Sequence, residues 1–101
     1  MKLQLHSRDV NQILNSVIRK CDYLSKKHNI EIVTEFEPLF SIKVDADLLQ
    51  TVFTNLIENA IKYSEKGTKV LISTEEVNSE LVVQVADQGR GIAGEELTHV
   101  F

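Results

Sequence analysis

The sequence predicts an α/β chain of the α+β type, a two-layer sandwich in which a mixed, largely antiparallel sheet packs on helices. Three observations predict it. Apolar residues recur at helical spacing over 9–28 and again over 46–64. Short runs with period-two alternation occupy 30–36, 40–44, 69–76 and 81–86. About four strands and two helices therefore interleave without repeats, linkers or low-complexity tracts, and at 101 residues they form one domain at most.

The first helix carries Val10, Ile13, Leu14, Val17, Ile18, Cys21 and Leu24 on one stripe. Asp9 and Gln12 resemble a capping box at its start. Lys26, Lys27 and His28 suit the negative end of its dipole, and Asn29 is placed to terminate it in a left-handed conformation. Ile30, Ile32 and Phe36 then alternate with Glu31, Val33 and Glu35 as a half-buried strand. Pro38 marks a turn into a second short strand through Phe40, Ile42 and Val44. Asp45 is positioned to cap the second helix, and Gly67 breaks the chain before the strand at 69–76. Asn78-Ser79 reads as a hairpin turn into the most apolar strand, 81–86. After the glycine loop, the run from Gly94 to Leu97 reads as the start of a helix.

Composition narrows the function classes. Hydrophobic content of 43% and charged content of 26% are ordinary for a globular protein. A net charge of -4 argues against nucleic acid as a partner, and Lys26-Lys27-His28 is too short a basic cluster to reverse that. No apolar run approaches the roughly 20 residues needed to span a bilayer, so no direct membrane contact is expected. The N-terminal residues are too few and too polar for a signal peptide. Cys21 is the single cysteine and falls on an apolar stripe, which fits a reducing, cytoplasmic setting.

Chemistry concentrates in two places. On the second helix Leu49, Phe53, Leu56, Ile57, Ala60 and Ile61 gather on one side. Asn55, Asn59 and Lys62 gather on another at spacings of four and three, flanked by Glu58 and Tyr63. A solvated face is the ordinary reading of such residues. Two Asn one turn apart argue otherwise, because Asn is a poor helix former whose side chain competes for backbone hydrogen bonds. Amide oxygens suit a hard cation such as Mg²⁺, which keeps several waters and shares its shell with phosphates. Lys62 can meet a phosphate as a point charge, and Tyr63 offers a flat surface to a base or ribose.

The second place is the end of the strand 81–86. Asp87 stands at its tip beside Val85 and Ile92, placed to accept from an exocyclic amine. Gly89 and Gly91 permit close approach of backbone to a ligand. By itself this loop is a weak signal, since any turn can need glycine. It is not the dinucleotide fingerprint, because Gly-x-Gly-x-x-Gly is incomplete and the strand belongs to no βαβ unit. Nor is it a Walker A loop, since no Gly-Lys-Ser/Thr follows.

Together the two segments become recognisable. Asn55-Leu-Ile-Glu-Asn59-Ala-Ile-Lys62-Tyr63-Ser64 resembles the N box of bacterial sensor histidine kinases, and Val85-Ala-Asp87-Gln-Gly89-Arg-Gly91-Ile92 resembles their G1 box. Both belong to the Bergerat ATP-binding fold, shared more distantly with gyrase-type ATPases and anti-sigma-factor serine kinases. The upstream order is similar too: an amphipathic helix, a hairpin, then an Asp before the N-box helix. The resemblance covers 1–101 as a single partial catalytic domain, with the N box at 55–64, the G1 box at 85–92, and Val100-Phe101 opening an F box.

The resemblance implies ATP and Mg²⁺ as cofactors. Asn59 would coordinate the metal with Asn55 assisting or coordinating, Lys62 would contact phosphate, and Tyr63 would pack on the nucleotide. Asp87 would accept from the adenine amino group, with Gly89, Gly91 and Ile92 shaping and lining that end. The implied reaction moves the γ-phosphoryl group to a histidine on a separate dimerisation domain, for relay to a response regulator Asp. Related ATPases and anti-sigma kinases carry a glutamate where Asn55 stands. An amide cannot take a proton, which favours a histidine acceptor over water or serine, with Glu58 as a minor candidate base.

The departures set further expectations. None of His6, His28 and His99 lies in a phosphoacceptor context, and no ATP lid or second glycine-rich box is present. The chain is therefore expected to be a piece of the catalytic domain, inactive alone and a weak ATP binder at most. The strand 81–86 or its neighbour is expected to form an unpaired apolar edge through which copies self-associate. The rival readings are an anti-sigma serine kinase and a degenerate kinase module that binds a protein partner. A membrane anchor on the parent protein is compatible with this reading.

Overall fold

The computed structural model describes residues 4–87 and 95–100. In chain order the elements are β1 (His6–Arg8), α1 (Val10–Lys20), α2 (Asp22–Lys27), β2 (Glu31–Phe36), β3 (Ile42–Val44), α3 (Ala46–Tyr63), β4 (Lys69–Val77), β5 (Glu80–Asp87) and β6 (Glu95–Val100). Four strands form one sheet in the order β2-β4-β5-β6, and β1 and β3 pair in a second, two-stranded sheet.

The predicted first helix is interrupted once. The Cys21 N–H donates to both Val17 O (3.0 Å) and Ile18 O (3.1 Å), and the residue leaves helical geometry at φ -87, ψ 0. This tight turn divides the stripe into α1 and α2. Asp9 caps α1 as predicted, its carboxylate accepting from Asn11 N–H at 2.9 Å. Asn29 stands at φ 56, the expected left-handed terminator.

The predicted hairpin between 30–36 and 40–44 does not form. β2 runs parallel to β4, with Glu31 opposite Lys69, and β3 pairs antiparallel with β1, with His6 opposite Val44. The intervening chain includes β3 and α3, the long crossover that parallel pairing requires. β1 has no apolar alternation, so periodicity does not reveal it. Between β4 and β5 the hairpin is as expected: Asn78 (φ 52) and Ser79 (φ 67) both take positive φ, which matches the twist of the flanking strands.

At the C-terminal end one expectation is corrected and another is narrowed. Glu95–Val100 is strand, not helix, and it pairs antiparallel with β5 from Val85↔Glu95 to Glu80↔Val100. β5 is therefore an interior strand, hydrogen-bonded on both sides, and of the two places expected for the edge, this strand or its neighbour, the edge falls on the neighbour β6. The physical reason is that the backbone donors and acceptors on the second side of β5 need partners, and pairing with 95–100 overrides the local helix preference of Glu95, Glu96 and Leu97. Among the described strands the edges of the large sheet are β2 and β6.

The core lies between the helices and one sheet face. Val70 and Ile72 of β4 and Leu81, Val83 and Val85 of β5 face Leu14 and Val17 of α1 and Phe53, Ile57 and Ile61 of α3, all buried. Leu49 is buried as well, while Leu56 and Ala60 pack partly buried at the margin. The period of 3.6 read from the sequence thus places this face of α3 on the sheet and leaves its opposite face open.

Candidate functional site

The open face of α3 is built by what the buried face demands. With Phe53, Ile57 and Ile61 at most 1% exposed, the residues across the helix must face outward. Asn55, Asn59 and Lys62 are all exposed there, and Tyr63 is 67% exposed beside them. The Asp45 carboxylate starts the helix, accepting from Leu48 N–H at 3.1 Å and, from outside the helix, Gln4 N–H at 3.1 Å. Ser64 closes the other end, its hydroxyl donating to Ala60 O at 2.6 Å.

The register brings the start of the second segment, at Asp87, to the end of the molecule where α3 stops. α3 ends at Tyr63, β4 begins at Lys69, and Val70 pairs with Asp87. A connection of residues 64–68 therefore links the C-terminal end of the amide-bearing helix to the strand position beside Asp87. At this same end the Gly67 N–H donates to Asn29 O at 2.8 Å. Gly89, Gly91, Ile92 and Phe101 lie outside the described residues, and Asp87 is placed by its strand register alone.

Glu58 differs from its neighbours. It is half-buried on the flank toward α1, close enough to Cys21 for its charge to act on the thiol. Burial first, and the Glu58 carboxylate second, push the Cys21 thiol above its ordinary value of 9.0. Cys21 is thus a buried neutral thiol rather than a nucleophile.

Asn55 and Asn59 present hard amide oxygens one turn apart on an open face, a donor set that fits Mg²⁺ shared with phosphate oxygens and water. Among the described residues no group of three or more His, Cys, Asp and Glu is arranged to hold a metal. Sequence reasoning passed over one feature. Asn55 also lines a surface depression with Lys20 of α1 and with Asp47, Gln50, Thr51 and Thr54 of α3. Helical periodicity within α3 shows the last four; only packing brings Lys20 to them. No helix among the described residues is long and apolar enough to cross a membrane.

A helix of exposed amides laid on a mixed sheet, with an acid at the tip of an inner strand, defines an ATPase-type α/β sandwich. The chain belongs to the histidine kinase-, DNA gyrase B-, and HSP90-like ATPase family, whose pattern matches residues 44–101. It is 32% identical over 97 residues to the sensor-like histidine kinase SenX3 of Mycolicibacterium smegmatis, covering 96% of this chain and 25% of SenX3. Among solved structures, full-length ShkA in complex with AMPPNP superposes with a TM-score of 0.80 at 27% identity, over 92% of this chain and 20% of ShkA. Histidine kinase ThkA in complex with response regulator protein TrrA superposes at 0.79 with 23% identity, over 89% of this chain and 27% of ThkA. The chain thus spans about a quarter or less of the length of these relatives. Its family is the catalytic ATPase module of sensor histidine kinases, an ATP-binding enzyme domain, and the serine-kinase alternative is not favoured.

Proposed function

We propose that this chain is a partial catalytic domain, 1–101, that holds Mg-ATP for transfer of the γ-phosphoryl group to a histidine on a separate dimerisation domain. The observation that carries it is the line Asn55, Asn59, Lys62 on the open face of α3, ending where β4 places Val70 beside Asp87. ShkA, the relative solved with AMPPNP, supports the nucleotide reading. The N box is 55–64, the G1 box 85–92 and the F-box opening 100–101.

In this reading Asn59 and Asn55 hold Mg²⁺, which when bound supplies charge neutralisation for the phosphates. Lys62 meets phosphate, Tyr63 covers the nucleotide, and Asp87 accepts from the adenine amine, with Gly89, Gly91 and Ile92 around it. Phosphoryl transfer depends mostly on positioning and charge neutralisation, and these residues supply both. Asn55 takes no proton, which leaves the acceptor to be a group that is already nucleophilic, such as a neutral imidazole. Glu58 is half-buried toward Cys21, which makes it the weaker candidate for base. Relay to a response regulator is supported by the ThkA complex, and such a partner supports a cytoplasmic location.

The test is titration with Mg-ATP at millimolar concentrations, followed by amide chemical shifts on α3 and at the end of β5. Shifts clustered around Asn55, Asn59 and Asp87, lost in Asn59→Ala and on chelation of Mg²⁺, are expected. Equal binding by wild type and Asn59→Ala would sink the reading.

A further inference from the structure

Positive charge gathers where α1 turns into α2. Residues 19–27 hold Arg19, Lys20, Lys26 and Lys27 with Asp22 as the one acid, in a chain whose net charge is -4. The tight turn at Cys21 joins the two helices so that all five line one surface depression with Tyr23. Each pair of cations closes a helix, where positive charge complements the dipole. Tyr23 has no such explanation. It is 78% exposed, more than any other large apolar side chain described, while its neighbours Leu24 and Ser25 turn inward. No hydrogen bond to another described residue holds its hydroxyl. Tyr23, Lys26 and Lys27 share one face of α2 at spacings of three and four.

The charge of this elbow is only partly cancelled. Asp22 pairs with Lys26 at 2.9 Å, the only ion pair among the described residues. Lys20 Nζ donates to the neutral Gln50 Oε1 and keeps its charge. Arg19, Lys20 and Lys27 are thus left without a close acid among the described residues. Tyr and Arg are the side chains that most often anchor protein interfaces, and charges around them steer a partner's approach. A depression also receives a protruding side chain, whereas a flat bilayer would touch only its rim.

We propose that the α1–α2 elbow is a docking surface for an acidic segment of a partner protein. Arg19 and Tyr23 are its anchors, and Lys20 and Lys27 steer the segment in. The Asp22–Lys26 pair holds one cation back and tempers the affinity. The surface stands apart from the nucleotide reading and does not depend on it.

The experiment titrates the whole chain with a short peptide of alternating glutamate and leucine, followed by amide chemical shifts. Shifts confined to residues 19–27 are expected, fading as salt rises to about 1 M, where charges are screened within about 3 Å. Tyr23→Ala and Arg19→Ala are each expected to weaken the peptide about fivefold, and Lys27→Glu at least as much. Asp22→Asn releases Lys26 and is expected to tighten it a few-fold. Melting temperatures of the variants report whether the fold is intact. Lowered melting with unchanged peptide affinity would show that the cations serve only the helix ends, and overturns the surface. So does the absence of peptide binding at millimolar concentration. Equal binding of the same peptide with glutamine for glutamate overturns the acidic partner. Tighter binding to phosphatidylglycerol vesicles than to the peptide overturns a protein in favour of a membrane surface. A salt-sensitive dimer of the chain alone, lost in Lys27→Glu, assigns the elbow to a second copy and overturns a separate partner.

Discussion

The Gly67 N–H donates to Asn29 O at 2.8 Å, and both residues stand in the left-handed region, at φ 82 and φ 56. One follows α2, the other follows α3, and the bond ties the two chain reversals that launch β2 and β4. It sits two residues before the Glu31↔Lys69 pairing that begins the parallel register. The strand end that carries Asp87 is aligned by the same corner, since Val70 pairs with Asp87.

Gly67→Ala therefore tests the corner. A Cβ at Gly67 would meet Asn29 Nδ2 at 3.9 Å, an ordinary contact, so the cost is that of the left-handed backbone and not of crowding. A loss of about 1–2 kcal/mol is expected, read as a lower urea midpoint with an unchanged slope. An unchanged midpoint would show that the corner relaxes freely.

A second bond spans the fold at its opposite end. Thr74, 2% exposed, donates from Oγ1 to Asn11 Oδ1 at 2.8 Å, and Asn11 Nδ2 donates to Glu37 O at 2.7 Å. One amide thereby joins α1, β4 and the segment after β2. Thr74→Val keeps the shape and removes the hydroxyl, with an expected loss of about 1 kcal/mol in denaturant unfolding. Thr74→Ser, which keeps the donor, is expected to restore the Asn11 side-chain amide resonances that Thr74→Val displaces. If Thr74→Val leaves those resonances in place, the bridge has no part in stability.

Asp45 predicts a pH dependence. Hydrogen bonds from Gln4 N–H and then Leu48 N–H hold its carboxyl below the ordinary value of 3.8. A carboxylate lowered in the folded state adds stability that is complete above its unfolded value and is lost as pH falls through its folded value. Wild type is thus expected to lose melting temperature below about pH 4 more steeply than Asp45→Asn, which has no charge to lose. Parallel curves for the two proteins would remove Asp45 as a source of acid sensitivity.

Much of this was legible in the residues. The stripes that bury Val10–Val17 and Phe53–Ile61, the Asp9 and Asp45 caps, the left-handed Asn29 and the Asn78-Ser79 turn are local signals, and each is found where read. The amides on α3 were legible for the same reason, since a period of 3.6 fixes which side chains share a face. Asp87 was assigned from its motif, and its strand register places its backbone at the helix end.

By itself, then, the chain determined most of its elements, its buried faces and the family to which it belongs. Tertiary structure alone decided that β2 pairs in parallel with β4 and not with β3, that β1 exists, that β5 is interior, and that Lys20 comes to stand over Gln50 beside Asn55. Periodicity records which face of an element is apolar. It carries no record of which neighbour satisfies a strand's hydrogen bonds or which side chains from distant elements meet, because those are settled by competition among all partners the packed chain brings within reach.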